Sequence, residues 1–322
     1  MNDRAAKALS VVALLDGRPG HEKQTMGILQ ALEDRVPVCI RRIKVAPFSL
    51  FTALSQNCRL YLPGGGASCP QVEGADLLIG TGNSTHLPML LYKKKYGIPA
   101  LICMSPALHL RNRFDLCFVP EHDGIGEAHN IMLTVGAPNN SKNKGQQQEN
   151  CGLVLLGGTD AKSHDWDDRQ VVAMVEKIVK AESGMYWTIS TSPRTPNETV
   201  SLAKRLSESF DTIRFFDYRD TQPGWIEEQY DKNKHVWVSA DSISMIYEAL
   251  TAGCRVGILP VQWKNNRGKF KRNEDILLEK KLVTSFASWQ QGDRVLRNCP
   301  ELNEARRCAE RILQKWWPKN LQ

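Results

Sequence analysis

Apolar residues recur along the chain in short runs. Each run ends on glycine, proline or small polar residues, and most are followed by a stretch of helical spacing. Ser10–Leu15 is the first such run, Asp16–His21 its turn, and Glu22–Asp34 the helix, with Met26, Leu29 and Leu32 near one face. Val38–Lys44 predicts a second strand, and Arg59–Leu62 leads into the loop Pro63–Gly66. Asp76–Gly80 predicts a strand, Thr81–His86 a loop, and the residues through Tyr96 a helix. Pro99–Met104 and Leu116–Pro120 predict further strands. Strands alternating with helices imply a parallel sheet covered on both faces.

Pro138–Asn150 breaks this texture. It is polar, rich in Asn and Gln and without period, which predicts a linker. The pattern then starts afresh. Gly152–Leu156, Met185–Ser190, Ile213–Phe216, His235–Val238 and Arg255–Leu259 predict strands, and Arg169–Glu182 and Val200–Ser209 predict helices. In the tail, Ala305, Cys308, Ala309, Ile312, Leu313 and Trp316 form one apolar helical stripe, stopped by Pro318. Such a face packs on the fold or lies in a membrane interface; Trp317, Lys315 and Lys319 keep the second reading open. The expected fold is α/β, with doubly wound Rossmann-like domains at residues 1–140 and 151–300 and a terminal helix at 301–322. A chain of 322 residues is long enough for two cores.

Composition narrows the function classes. Hydrophobic residues make up 42% and charged residues 24%, as in folded globular proteins. The formal charge of +7 suits an anionic ligand or an acidic lipid surface, but no basic stripe interleaved with aromatics supports nucleic acid. The densest basic stretch, Lys264–Arg272, reads equally as a solvated loop. Nine cysteines are scattered without a CxxC pair, several in apolar runs, which fits reduced thiols and a cytoplasmic protein rather than a disulfide framework. Ala8–Leu15 follows Arg4 and Lys7 but is too short for a membrane helix and reads as a buried strand, not a signal peptide. Membrane contact, where there is any, is expected to be peripheral.

Several turns carry candidate chemistry. Ser239–Gly253 reads as a turn of small polar residues opening a helix, with Asp241 or Ser242 as its cap and free N–H groups for an anion. Glu248 shares a helix face with Ser244 and Asp241, where a carboxylate can accept from two ribose hydroxyls; an ordinary surface glutamate is the plain alternative. Gly157, Gly158 and Thr159 form a glycine turn through which backbone can approach phosphate. Ser192 and Arg194 follow another strand, and a guanidinium fork fits a diphosphate. In the first half, Asp16, Gly17 and Gly20 build a turn before His21, a base for an acceptor hydroxyl or a helix cap. Gly82, Asn83 and His86 lie in a second such loop. Neither GxGxxG nor GxxxxGK[ST] is present, so dinucleotide and P-loop sites lack support. His164, Asp165, Asp167 and Asp168 read as helix-capping residues rather than as a metal set.

Together, Asp16–Gln24, Gly80–Pro88, Gly157–Asp160 and Ser239–Gly253 resemble the mitochondrial-fission "elongated mitochondria" (ELM-type) family over about Val11–Leu313. Bacterial members of that family are often labelled nucleoside-diphosphate-sugar epimerases. In layout the chain is similar to GT-B glycosyltransferases, notably the N-acetylglucosaminyltransferase of peptidoglycan synthesis and the lipid-A disaccharide synthases. That resemblance implies a C-terminal domain holding a nucleoside diphosphate sugar, uridine favoured, as co-substrate, with neither cofactor nor metal. It implies an N-terminal acceptor domain facing a lipid or cell-envelope acceptor, and a last helix crossing back to that domain. It places Gly158 and Thr159 by the diphosphate, Ser192 and Arg194 by phosphates or base, Ser242, Ser244 and Met245 at the helix N-terminus, Glu248 on the ribose and His21 toward the acceptor. The loop Val261–Phe270 departs from the peptidoglycan enzyme in lacking its Asp-Gln/Gln-Gln donor-sugar pair, and Tyr92 is followed four residues on by Tyr96, not by the Lys of a Tyr-x-x-x-Lys pair. The alternative function is a non-catalytic adaptor, since plant members are linked to recruiting a dynamin-type protein.

Overall fold

The computed structural model describes residues 8–47, 49–292 and 294–321; Arg4 and Lys7, weighed above as part of a leader, lie outside them. The chain forms two compact units, Met1–Asn140 with Asn303–Gln322, and Ser141–Leu302.

The first unit runs β1 (Leu9–Leu15), α1 (Pro19–Glu33), β2 (Val38–Lys44), α2 (Leu50–Tyr61), β3 (Leu77–Thr81), α3 (Asn83–Tyr96), β4 (Ala100–Cys103), α4 (Leu108–Arg111), β5 (Leu116–Pro120) and β6 (Ile131–Thr134). Its sheet has six parallel strands in the order β2-β1-β3-β4-β5-β6. β1, β3, β4 and β5 are almost wholly buried, as continuous apolar runs covered on both faces must be. One face packs Val11, Ala13, Ile79 and Phe118 against α1; the other packs Val12, Leu14, Leu78 and Ile102 against α3.

The second unit runs β7 (Gln148–Leu155), β8 (His164–Asp165), α5 (Asp168–Ala181), β9 (Tyr186–Ser190), α6 (Asn197–Glu208), β10 (Ile213–Phe216), α7 (Trp225–Lys232), β11 (Asn233–Ser239), α8 (Ile243–Thr251), β12 (Arg255–Leu259), β13 (Gln262–Trp263), α9 (Lys269–Glu279), β14 (Thr284–Ser285) and α10 (Phe286–Gln291). Its main sheet has the order β10-β9-β7-β11-β12-β14, again all parallel, and β8 pairs antiparallel with β13. Counted within the unit this is the 3-2-1-4-5-6 order of dinucleotide-type Rossmann sheets, whereas the first unit has the 2-1-3-4-5 order with a sixth strand.

The chain then re-enters the first unit as α11 (Glu304–Trp316). Asn303 caps it, accepting from the Arg306 N–H at 2.9 Å. Ala305, Cys308, Ala309, Ile312 and Leu313 are buried beside Ile28, Leu29 and Leu32 of α1. The apolar stripe is therefore consumed by the core of the first unit. That corrects the membrane-interface reading of this helix. Among the described residues no helix is long and apolar enough to cross a membrane.

The linker expectation needs revision at both ends. Pro138 and Asn139 are buried, and Asn139 closes on α1 so tightly that a Cβ on Gly27 would lie 2.3 Å from its carbonyl oxygen. Gln148–Asn150 already belongs to β7.

Candidate functional site

In an open α/β sheet, the crevice at the carboxyl ends of the strands opens where the strand order reverses. In the second unit that switch point lies between β7 and β11, and the loops chosen from sequence leave these strands and β9. They are bonded to one another. The Gly157 N–H donates to Ser239 Oγ at 2.7 Å, and the Gly158 N–H to Asp241 Oδ2 at 3.2 Å. Arg194 Nη2 donates to the same Asp241 oxygen at 2.8 Å and reaches Ser242 Oγ at 3.4 Å. The Ser192 hydroxyl donates to the Gly157 carbonyl at 2.8 Å, while the Thr195 hydroxyl sits against the carbonyls of Leu156 and Gly157. The Thr159 N–H donates to the Arg194 carbonyl at 3.1 Å.

Asp241 is buried, whereas the Arg194 side chain is 43% exposed. A buried carboxylate thus anchors a guanidinium whose outer edge faces solvent. The second carboxylate oxygen, Asp241 Oδ1, is buried without a partner. Next to Thr159, the Asp160 carboxyl is held below the usual carboxylate range by the Lys162 N–H and the Ser163 hydroxyl, which stiffens the turn.

Three expectations change. Glycine at 157 and 158 is required by the protein itself: a Cβ on Gly157 would lie 2.2 Å from Asp241 Oδ2, and one on Gly158 2.0 Å from the Arg194 carbonyl oxygen. Neither Asp241 nor Ser242 caps α8. Ser242 stands at the cap position with no side-chain cap bond, and the Asp241 carboxylate serves the neighbouring loops instead. Finally, Asp241, Ser244 and Glu248 do not share an open face. Ser244 is exposed and Met245 half-buried, but Ile246–Thr251 are buried all round, Glu248 at 6% exposure. The cause is the flanking helices: Tyr230 of α7 reaches the Met245 carbonyl at 3.4 Å, and Tyr247 bonds Asn273 of α9 at 2.8 Å. Burial, with the Glu248 carboxylate adding to it, pushes the Tyr230 phenol far above its ordinary range.

In the first unit the strand order reverses between β1 and β3, and again the sequence-chosen turns leave these two strands. Asp16 Oδ2 and His21 Nδ1 are 2.7 Å apart, with the Asp16 side chain buried. A carboxylate only accepts, so the Nδ1 N–H donates to it, and in the neutral ring the lone pair is on Nε2. Gly82 packs on this pair: a Cβ there would lie 2.5 Å from both Asp16 Oδ2 and His21 Nδ1, and its φ of +94° favours glycine. Gly17 also has positive φ, at +78°, while Gly20 sits in the first turn of α1 with open space around it. Asn83 and His86 start α3 and line a separate cavity of about 550 Å³. Burial pushes the His86 imidazole down to about 4.

Sequence reasoning missed Ser239 as a ligand of the Gly157 N–H, Thr195 as the tie between loops, and His164, whose Nε2 lies 2.9 Å from the Gly158 carbonyl. The Ser-x-x-Thr spacing after β9, with Ser192 N–H donating to Thr195 Oγ1 at 2.8 Å, is a turn signal that was present. Asp167 caps α5, accepting from the Gln170 N–H at 2.9 Å. Among the described residues no group of three His, Cys, Asp or Glu is arranged to hold a metal ion.

The profile of the family described as "Mitochondrial fission ELM1" matches residues 19–316, a span that includes the second unit's switch-point cluster and α11. The chain belongs to the mitochondrial fission ELM1 family. No curated protein matches the sequence. Solved structures similar to this ELM1-family chain include MnaA of S. aureus with UDP, at 13% identity and TM-score 0.56, covering 97% of both chains. The UDP-GlcNAc 2-epimerase of Methanocaldococcus jannaschii, solved with UDP-GlcNAc and UDP, is 13% identical at TM-score 0.53, covering 95% of this chain and 99% of that one. The glycosyltransferase SnogD of Streptomyces nogalater is 12% identical at TM-score 0.50, with 96% and 95% covered. The fold is GT-B-like: two Rossmann-like domains, shared by glycosyltransferases and UDP-GlcNAc 2-epimerases alike.

Proposed function

We propose that this ELM1-family protein is an enzyme acting on a nucleoside diphosphate sugar, uridine type, and that it transfers the sugar to an acceptor hydroxyl. The observation that carries the reading is the Arg194–Asp241–Gly158 constellation at the β7/β11 switch point. A guanidinium fixed by a buried carboxylate, beside the uncapped N-terminus of α8, is a preorganised partner for a diphosphate. In this reading Gly157, Gly158, Thr159 and Ser192 shape the loop around the phosphates, and Ser242, Ser244 and Met245 offer helix-end amides. Asp241 positions Arg194.

Transfer breaks the bond from the anomeric carbon to the diphosphate and forms one to the acceptor oxygen. The leaving diphosphate gains negative charge, which Arg194 and the α8 dipole stabilise. The acceptor proton goes to His21 Nε2, whose ring orientation and tautomer are set by Asp16. Asp16, Gly17, Gly20, Gly82, Asn83 and His86 form the acceptor side. The chemistry assigned to these residues needs no cofactor beyond the sugar nucleotide, and the acceptor is a lipid or cell-envelope hydroxyl compound met at most peripherally to a membrane.

The experiment is calorimetric titration with UDP, GDP, ADP and CMP, repeated on Arg194→Ala. UDP is expected to bind saturably, and loss of one charged hydrogen-bond set to weaken it about 10- to 100-fold. Equal affinity in the variant would remove the constellation from the site. No nucleotide binding at all would favour the adaptor reading. Because 2-epimerases share the fold, incubation with UDP-GlcNAc alone separates the enzyme readings: isomerisation at the sugar without an acceptor would establish an epimerase in place of a transferase.

A further inference from the structure

The cavity of about 550 Å³ in the first unit lies within the size range of small-molecule sites. Its walls are Leu50 and Leu54 of α2, Leu87 of α3 and Leu110 of α4, and among the described residues no Asp, Glu, Lys or Arg lines it. Two residues of the lining each hold a buried polar atom without a partner: Asn57 Oδ1 and His86 Nε2. A buried polar atom left unpaired is costly, so a ligand that completes both is the economical explanation. Asn57 is anchored through its other amide atom, with Nδ2 at 3.4 Å from His109 Nε2, and the Ser105 hydroxyl is already spent on Asp123 at 2.7 Å.

The two orphan atoms state what they need. An amide oxygen requires a donor. An imidazole that burial keeps neutral offers one lone pair or one N–H, and a hydroxyl answers both. A charged headgroup finds no counter-ion on the lining. The walls themselves reach the surface, Leu50 at 87% and Leu54 at 66% exposure, and next to lining residues in the chain Phe51 is 86% and Leu108 78% exposed. Large apolar side chains left in the open beside a cavity are a feature of binding surfaces.

We infer that this cavity binds an uncharged, hydroxyl-bearing amphiphile, its hydroxyls on Asn57 and His86 and its alkyl chain along Leu50 and Leu54. As the acceptor's site it rests on the transferase reading; as a binding site it does not.

The test uses the full chain and n-octyl β-D-glucoside below its micellar concentration, titrated calorimetrically beside glucose and sodium octyl sulfate. The expected result is one saturable site for the glucoside, with glucose and octyl sulfate each at least tenfold weaker. Leu54→Asp, at an exposed position that leaves folding intact, and Asn57→Leu are each expected to weaken the glucoside at least tenfold. Equal binding of glucose, equal binding of octyl sulfate, unsaturable uptake of many molecules, or full affinity in both variants would overturn the inference. UDP titration of the unsubstituted protein keeps the two ideas apart. UDP binding without glucoside binding ends this inference alone, and glucoside binding without UDP binding ends the transferase reading alone.

Discussion

A methyl group on Gly158 would press on the Arg194 carbonyl at 2.0 Å, a backbone atom that no rotamer change can move aside. Gly158→Ala is therefore expected to push the loop after β9 away, lowering stability by about 1–3 kcal/mol and weakening UDP binding with it. Gly20→Ala meets nothing within 4 Å in the first turn of α1 and should instead stabilise by about 0.5–1 kcal/mol. Urea midpoints of the two variants decide this; equal midpoints would show that the loops separate at no cost. His86 supports a pH prediction. Its native imidazole sits at about 4, against about 6.5 in the unfolded chain. Between these values the unfolded chain holds a proton that the native one does not. The stability is thus complete above about 6.5 and lost as pH falls toward 4, with about 2 kcal/mol gone from pH 7 to pH 5. Urea unfolding at both pH values should show this loss, and His86→Leu should flatten it by that amount. An unchanged slope in the variant would mean the ring already takes up its proton in the native state.

At the scale of elements, the strands were read best where burial writes them into the sequence. Leu116–Pro120 and Arg255–Leu259, buried almost throughout, match the observed strands to the residue. β7 was begun too late because Gln148–Asn150 is polar and exposed; those residues are strand because Gln148 pairs with Asn233 of β11, and backbone pairing leaves no mark on side-chain type. α2 went unseen for the opposite reason: Leu50, Phe51 and Leu54 face outward, so its apolar positions do not trace a core-facing stripe. The cavity went unseen with it. α11 was legible because every apolar position of its stripe is used. Ile312 and Leu313 are fully buried against α1, so Ile312→Ala or Leu313→Ala should cost about 2–5 kcal/mol, measured by urea unfolding followed at Trp316 and Trp317. A cost under about 1 kcal/mol would place the helix on the surface and revive the membrane-interface role.

For the whole molecule, the decisive fact is strand order, which no local pattern encodes because pairing joins residues far apart in the chain. The turns after β1, β3, β7 and β11 could be picked from sequence as glycine-rich and polar. That β1 and β3 are neighbours at one reversal of order, and β7 and β11 at another, comes only from the sheets. Each reversal leaves a crevice, and the two are built of different chemistry. The second unit offers Arg194 on a buried carboxylate; the first offers an Asp16–His21 pair and a cavity whose described lining holds no Asp, Glu, Lys or Arg. An anionic nucleotide should distinguish them. With UDP at a hundredfold excess over its dissociation constant, the site gains about 2.7 kcal/mol of protection. Amide hydrogen exchange is therefore expected to slow at residues 157–159, 192–195 and 239–246 and to stay unchanged at 16–21 and 82–86. Slowing at the β1 and β3 turns instead would exchange the roles of the two units, since the only anchored guanidinium of the constellation would then stand away from the bound diphosphate.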